Sequence, residues 1–193
     1  MGTAFMIGFY MVFYLFVLAF SAVSYVLQGL GMFTVAKRRQ INKPWLAWVP
    51  VGNMWMLGCI SDQYRYVTQG TDRNFRKKLL WLMISLYIAL VPMYMMEMGM
   101  ILAGEMGMGD GAVIVLSILT ILFALVVIVV AVFASVIQYM AIYDYFRSCE
   151  PRRAVLYLVL SIVVSVAFPI LFFIVRNKDL GMPPKADEVP VIE

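Results

Sequence analysis

Hydrophobic positions follow one another along this chain in long, nearly continuous blocks separated by short polar stretches. Four blocks are long enough for a transmembrane helix, at about 5–30, 79–103, 112–143 and 155–175. A hydrocarbon core of about 30 Å needs roughly 20 apolar residues in helical form. A membrane β-barrel would show segments of about ten residues with alternating polarity instead. The pattern therefore predicts an all-α integral membrane protein with four transmembrane helices.

A fifth block, 45–60, is shorter and is interrupted by Pro50, Gly52 and Asn53. These residues oppose a straight helix through its middle, and basic residues stand on both of its flanks. We therefore expect a short interfacial or re-entrant element that enters the membrane and leaves on the same side.

The same segment carries a pattern that resembles a known group of proteins. Pro44, Trp45, Ala47, Pro50 and Asn53 form a P-W-x-A-x-x-P-x-x-N arrangement after a basic stretch. This resembles a signature of small bacterial multi-pass membrane proteins, and the ending RNKDLGMPP, 176–184, is similar to tails of such proteins from Gram-positive gut bacteria. The resemblance implies a bacterial membrane protein and no particular activity. Asn53 is either a ligand or ion contact on unwound backbone or a turn residue beside Pro50.

The amino-acid composition indicates a membrane domain and excludes some kinds of side-chain chemistry. The chain is 64% apolar and 13% charged, whereas about a quarter of the residues in a soluble domain are charged. We predict one transmembrane domain, 1–193, that ends in a short polar tail, 176–193. No histidine is present, which excludes imidazole catalysis, imidazole metal ligation and imidazole pH sensing. We find no cofactor motif and predict no cofactor and no nucleic-acid partner.

Lysine and arginine are concentrated in two of the connections between the predicted spans. Because positive residues in short loops stay cytoplasmic, the N-terminus is expected outside a bacterial plasma membrane and the basic loops inside. Four crossings would then leave the C-terminus outside as well. Ten basic residues are candidates for contact with anionic lipid or an acidic partner: Lys37, Arg38, Arg39, Lys43, Arg73, Arg76, Lys77, Lys78, Arg152 and Arg153.

Polar side chains inside the spans are candidate ion or ligand contacts, because burying them in lipid is costly. Glu97 and Gln138 are such residues, although Glu97 lies close enough to a span end to be an interfacial carboxylate. Met96 and Met100 stand one helical turn apart in a methionine-rich segment, 93–108. They resemble the Met-x-x-x-Met element of eukaryotic high-affinity copper transporters, which implies a Cu(I) site; methionine is equally a flexible apolar filler.

Small residues recur at intervals that suit close helix contacts. Ser117, Ala124 and Ala131 follow one another every seven residues and lead to Gln138, while Ser161 and Ser165 offer a second small-xxx-small contact. The seven-residue spacing predicts a left-handed helix crossing, within the bundle or between subunits.

Three classes of function fit these observations. The first is a non-enzymatic assembly or accessory subunit that contacts membrane lipids and forms a homo-oligomer or part of a membrane complex. The second is an oligomeric channel or transporter for an ion, or for Cu(I) through the methionines. A membrane enzyme would depend on Asp62, Asp144, Tyr143 and Arg147, the polar groups near the basic loops, and we expect no enzymatic activity from them.

Overall fold

The computed structural model describes residues 2–71, 73–105, 107, 110–164 and 166–183. Within those ranges the chain is helical and contains no strand. Six α-helices follow in order: α1 Gly2–Arg38, α2 Pro50–Gln69, α3 Phe75–Glu105, α4 Asp110–Cys149, α5 Ala154–Val163 and α6 Ala167–Val175. Single 3₁₀ turns, Pro44–Trp48 and Pro151–Arg153, precede α2 and α5.

Three helical stretches are long and apolar enough to cross a membrane. They are Met6–Arg38, Phe75–Glu105 and Val113–Cys149. The first three predicted spans are therefore confirmed as continuous helices, and each helix extends beyond the predicted boundaries. The prediction of an all-helical membrane protein is therefore confirmed for these three helices.

The fourth predicted span, 155–175, is not confirmed, because two short helices occupy it. Helix α5 has 10 residues and α6 has 9, so each is about 15 Å long or less, half of a hydrocarbon core. The backbone leaves helical geometry at Val164. Beyond α6 the chain returns to where α5 began, and the Leu180 N–H donates to the Cys149 carbonyl at 3.1 Å. Helices α5 and α6 form a hairpin, which we call hairpin B.

The segment around Trp45 is a second hairpin, formed by the first 3₁₀ turn and α2, which we call hairpin A. At its open end the Gln63 side chain donates to the Arg39 carbonyl at 3.3 Å. At its tip the Tyr25 hydroxyl donates to the Trp48 carbonyl at 2.6 Å. Tyr25 precedes Arg38 by thirteen positions of helix, which is about 20 Å. Pro50 begins α2 rather than breaking it, because proline fits the first helical turn.

Both hairpins open at one end of the bundle, which we call the basic end and define by Arg38, Arg39, Arg65 and Lys178. Between them lies α1, which has a glycine facing each. A Cβ atom on Gly29 would meet the Trp48 ring at 3.1 Å, and one on Gly31 would meet the Phe172 carbonyl oxygen at 2.7 Å. The absence of side chains at these two positions lets both hairpins approach α1 closely.

The hydrophobic core fills the half of the bundle next to the basic end. The Tyr145 ring stacks on the Phe172 ring at 4.1 Å between centroids, and the Tyr145 hydroxyl donates to the Phe172 carbonyl. Other core side chains come from α1, both hairpins and α4, among them Met32, Val35, Met56, Ile60, Ile142 and Phe146. Hairpin B is thereby held against α4 and α1 by apolar contacts.

At the opposite end, which we call the far end and which contains Gly107, the arrangement is open. Helices α3 and α4 pack side by side there, but no described Cα atom of α1 lies within 8 Å of one in α3 or α4. From Met6 to Phe20 the α1 residues are exposed throughout. The outer half of α1 has no neighbour among the described parts of its own chain.

The start of the tail lies at the basic end. Asp179 forms ion pairs with Arg38 at 2.7 Å and Arg39 at 2.5 Å. Four crossings were expected to place the C-terminus on the side opposite the basic loops. Residues 176–183 lie instead beside the basic loops, because hairpin B brings the chain back to the basic end. Residues 184–193 of the predicted tail lie outside the described residues.

Candidate functional site

A buried ion pair fastens hairpin A to α4 at the basic end. Arg65 donates from Nε and Nη2 to the two carboxylate oxygens of Asp144, at 2.5 and 3.0 Å. The Ser61 hydroxyl also donates to Asp144, at 2.6 Å. Only 11% of the Arg65 side chain and 3% of the Asp144 side chain are exposed. Each charge is therefore removed from water and depends on the other.

A second ion pair, between a buried arginine and a partly exposed aspartate, fastens the tail to α1. Arg39 donates to Asp179, and its Nη2 also donates to the Ser148 hydroxyl at 3.0 Å. The Arg39 side chain is 3% exposed. Gly181 donates its N–H to the Ser148 carbonyl at 3.1 Å. The tail thereby supplies partners to carbonyl groups at the end of α4 that have no partner within the helix.

Glu150 links the tail to hairpin B. Its Oε2 accepts hydrogen bonds from the Lys178 ammonium at 2.6 Å and from the Tyr157 hydroxyl at 2.9 Å. The hydrogen bond from Lys178 lowers the pKa of Glu150 below its ordinary value, and the bond from Tyr157 acts in the same direction. The carboxylate is therefore charged at neutral pH and available to hold both groups.

The ten basic residues expected to contact lipid fall into two groups. Arg38 and Arg39 bind Asp179, Arg76 lies 3.9 Å from Asp62, and Arg153 lies 3.7 Å from Glu150. The remaining six are exposed and have no ion pair within 4.0 Å in the described part of the chain: Lys37, Lys43, Arg73, Lys77, Lys78 and Arg152. We call these six the free cations.

A cavity of about 440 Å³ opens at the basic end between α2, α3 and the turn after α1. Asp62 lies in its wall, and its carboxylate accepts the backbone N–H groups of Phe75 and Arg76 at 2.8 and 3.2 Å. These bonds complete the first turn of α3. Asp62 and Asp144, the two acidic residues considered for an enzyme, are thus both used in structural contacts.

Two further cavities lie at the tip of hairpin B, one against α1 and the other against α4. One, of about 370 Å³, has polar groups from α1 in its wall, namely Ser21, Ser24, Tyr25 and Gln28, opposite Val166, Phe168 and Pro169. The other, of about 150 Å³, is lined by Gln138, Tyr139, Ile142, Ser161 and Phe168. Phe168 belongs to both walls and separates the cavities.

Comparison of the chain with protein-family models, with curated proteins and with solved structures gives no match. The resemblance carried by Pro44, Trp45 and Asn53 therefore stays a prediction.

Glu97 and Gln138, the two polar residues predicted to contact an ion or ligand, do not share a site. Ser117 on α4 contacts Met100 on α3 at 3.4 Å, which sets the register of the two helices. Counting 1.5 Å per residue from that contact puts Glu97 and Gln138 about 27 Å apart along the bundle. Only Gln138 lines a cavity at the tip of hairpin B.

Asn53, the third candidate contact, lies inside α2 on regular helical backbone. Its N–H donates to the Val49 carbonyl at 2.7 Å, and the residue is 3% exposed. Its Oδ1 is buried and has no hydrogen-bond partner among the described residues. The proposed unwound backbone around Asn53 is therefore wrong, because α2 is continuous from Pro50 onward.

The remaining predicted residues are placed as follows. The seam of Ser117, Ala124 and Ala131 is half-buried. Because Ser117 contacts α3, the seam packs within the chain at that position.

The Met100 sulfur accepts a hydrogen bond from the Ser117 hydroxyl. The Cu(I) site at Met96 and Met100 stays a prediction. In the described ranges no three His, Cys, Asp or Glu side chains gather as metal ligands. Ser161 is buried, and Ser165 lies outside the described residues.

Sequence reasoning missed three groups of residues. The Arg65 to Asp144 pair joins positions 79 residues apart, and the contacts of Asp179 reach even farther along the chain. No local sequence pattern predicts such pairs. The polar face of α1 at Ser21, Ser24 and Gln28, in contrast, has regular helical spacing, and the periodicity of the first span could have revealed it.

Proposed function

We propose that this protein is a non-enzymatic assembly component of a bacterial plasma membrane, whose basic end lies on the cytoplasmic side and binds anionic lipid headgroups. The observation that carries the proposal is the division of the basic residues. Internal carboxylates engage Arg38, Arg39 and Arg65, whereas the free cations have no carboxylate within 4.0 Å among the residues that the structure describes.

Electrostatics supports lipid as the counterpart of the free cations. An anionic membrane surface attracts each nearby Lys or Arg with about 1 kcal/mol. Six such residues at one end of a membrane-spanning bundle are sufficient for a lasting shell of anionic lipid. Placing them on the cytoplasmic side agrees with the rule for positive loops. The tail then joins that side, and Arg176 and Lys178 obey the same rule.

The structural use of Asp62 and Asp144 supports the absence of enzymatic activity. A general acid or base has to be free to exchange a proton with a substrate. One carboxylate caps α3, and the other neutralises Arg65. Of the other two candidates, Arg147 lies over the Tyr143 ring at 5.8 Å.

The lipid proposal is tested by replacing all six free cations with glutamine. The measurement is retention of phosphatidylglycerol by the purified protein, read by native mass spectrometry. The matched control exchanges Lys and Arg for each other at the same six positions, which keeps every charge. We expect the glutamine variant to lose most of its bound phosphatidylglycerol and the control to keep it. Equal retention by both variants would overturn the proposal.

The alternative, an oligomeric channel or transporter, is supported by the cavity at Gln138. Ion flux into liposomes that contain the purified protein tests it, with Gln138→Leu and Glu97→Gln as variants. An ion flux that the Gln138→Leu substitution abolishes would overturn the assembly proposal in favour of a channel or transporter.

The Cu(I) site is tested by titrating Cu(I) into the protein and into its Met96→Leu and Met100→Leu variants. Equal Cu(I) affinities in all three would reject the site.

A further inference from the structure

The cavity of about 440 Å³ at the basic end is lined by hydrogen-bond donors that the described part of the chain leaves unused. They are the indole N–H of Trp55, the amide of Asn42, the hydroxyl of Tyr66 and the guanidinium of Arg76. None of these four side chains donates a hydrogen bond within the described ranges, and the Nε of Arg76 is buried without a partner there. We call these four side chains the cavity donors. Donors gathered around one space indicate a ligand that is rich in acceptors.

The charges around the cavity favour an anion. Asp62 is the one carboxylate among the described lining residues, and its oxygens accept the backbone N–H groups of Phe75 and Arg76. The Arg76 Nε lies 3.9 Å from this carboxylate, which balances its charge but is too long for a hydrogen bond. Two free cations, Lys43 and Lys77, directly follow cavity donors in the sequence. The cavity and its rim therefore carry a net positive charge.

The cavity lies at the depth of the lipid headgroups. Trp81 is 68% exposed on α3, and tryptophan collects at the boundary between hydrocarbon and headgroups. Arg76 precedes Trp81 by five positions, which is about 7.5 Å of helix toward the basic end. Each headgroup layer is about 5 to 7 Å thick. Arg76 and the cavity beside it are therefore within reach of lipid phosphate groups.

We propose that this cavity binds the phosphate headgroup of one anionic phospholipid, with the Arg76 guanidinium as its main contact. A phosphodiester carries one negative charge and several acceptor oxygens, which match the positive rim and the cavity donors. A planar guanidinium donates two parallel hydrogen bonds in such contacts. The volume of about 440 Å³ is in the range of small-molecule sites, so the cavity holds a headgroup while the acyl chains stay in the bilayer.

The inference rests on the proposed function, because it requires the basic end to lie at an anionic lipid surface. It adds one defined site to the shell of lipid around the free cations. Exposed charges hold the shell, and salt screens them, whereas directed hydrogen bonds also hold the lipid in the cavity. One phosphatidylglycerol molecule should therefore remain when all six free cations are replaced by glutamine.

Native mass spectrometry of that six-glutamine variant tests the site. We expect it to retain one phosphatidylglycerol molecule. The further substitution Arg76→Gln should lower the affinity for this lipid by about 10- to 150-fold, the range for a hydrogen bond to a charged group. Arg153→Gln is the matched control, since Arg153 also lies near a carboxylate, at 3.7 Å, but outside this cavity. Equal affinities in the Arg76→Gln and Arg153→Gln variants would overturn the proposal.

Tyr66→Phe guards against a folding defect, because it removes one hydroxyl from a residue that is 67% exposed. In the six-glutamine variant it should weaken retention of the cavity lipid several-fold and leave thermal unfolding in detergent unchanged. If Arg76→Gln lost the lipid only together with its thermal stability, and Tyr66→Phe lost none, the cavity would not be the binding site.

Protection of Cys59 gives a second readout that does not depend on the lipid shell. Cys59 lines the cavity, and Cys149→Ser makes it the only thiol of the chain. Dihexanoylphosphatidylglycerol should slow labelling of Cys59 by N-ethylmaleimide several-fold. Dihexanoylglycerol, which lacks the phosphate, and glycerophosphoglycerol, which is the headgroup without acyl chains, should not.

Three results would overturn the proposal. Equal protection by glycerophosphoglycerol would assign the cavity to a soluble phosphate compound, and equal protection by dihexanoylglycerol would assign it to acyl chains. Protection by none of the three probes would leave the cavity without a lipid. Because the six-glutamine variant tests the shell and Cys59 labelling tests the cavity, the two proposals can fail separately.

Discussion

The two halves of this bundle cover their apolar surface in different ways. In the half next to the basic end, two short hairpins fill the space between α1 and α4, and ion pairs fasten them at their open ends. In the half next to the far end, the hairpins are absent, and α1 stands apart from the α3 and α4 pair. Hairpins of half-membrane length thus produce a packed half and an open half from the same three long helices.

The difference teaches where the specific contacts of this protein lie. Apolar side chains in the far half can face lipid without loss, because lipid tails are as apolar as they are. In the packed half, Arg65 and Asp144 are removed from water and must find each other. We therefore expect substitutions to act strongly near the basic end and weakly near the far end.

The largest expected effect is an all-or-none result for topology. A cysteine at Leu180, which is 73% exposed, should react with a membrane-impermeant maleimide from the same side as one at Arg73 and from the opposite side to one at Glu105. The reason is that hairpin B returns the chain to the basic end. Labelling of Leu180→Cys from the Glu105 side would restore four crossings and remove the packed half altogether.

The second effect concerns the buried ion pair of hairpin A. Asp144→Ala leaves Arg65 charged and without its partner, so we expect a loss of about 3 to 5 kcal/mol in the free energy of unfolding in detergent. Glu105→Ala, at an exposed site near the far end, should change it by less than about 0.5 kcal/mol.

A double variant sharpens this test. Arg65→Met/Asp144→Leu removes both charges and should recover most of the lost stability. If Asp144→Ala and Glu105→Ala had equal effects, the ion pair would not fasten the hairpin.

The third effect compares two glycines of α1. Gly31→Ala would place a methyl group against the Phe172 backbone, and such overpacking costs about 1 to 3 kcal/mol. Gly8→Ala meets nothing within 4 Å and should be neutral or stabilise the helix by up to about 1 kcal/mol. Thermal unfolding in one detergent measures both variants. A destabilising Gly8→Ala would show that the outer half of α1 is packed against something.

The smallest effect is the release of the tail by acid. The folded pKa of Glu150 lies below its ordinary value of 4.5. Its contribution to tail binding is therefore complete above that value and is lost as the pH falls through the lowered folded pKa. Fluorescence anisotropy of a probe at Leu180→Cys should fall over this range. With Lys178→Met the fall should be smaller, and an unchanged fall would assign the release to other carboxylates.

The sequence determined the features that depend on local pattern. Long apolar runs fix three membrane-length helices, because each such helix satisfies its own backbone hydrogen bonds and needs no other information. The helical spacing of Ser21, Ser24 and Gln28 was also present in the sequence and could have been read there. Pro50 and Asn53 indicated an unusual element, although α2 proved to be helical through both.

Only the tertiary structure decided how the remaining parts are arranged. The run 155–175 has the same composition whether it forms one crossing or two half-length helices, and the contacts of Phe172 and Leu180 with α4 select the hairpin. The division of the basic residues likewise depends on pairings such as Arg39 with Asp179, 140 residues apart. Local sequence sets what each segment can bury, whereas distant partners decide which charges are neutralised and which surfaces stay open.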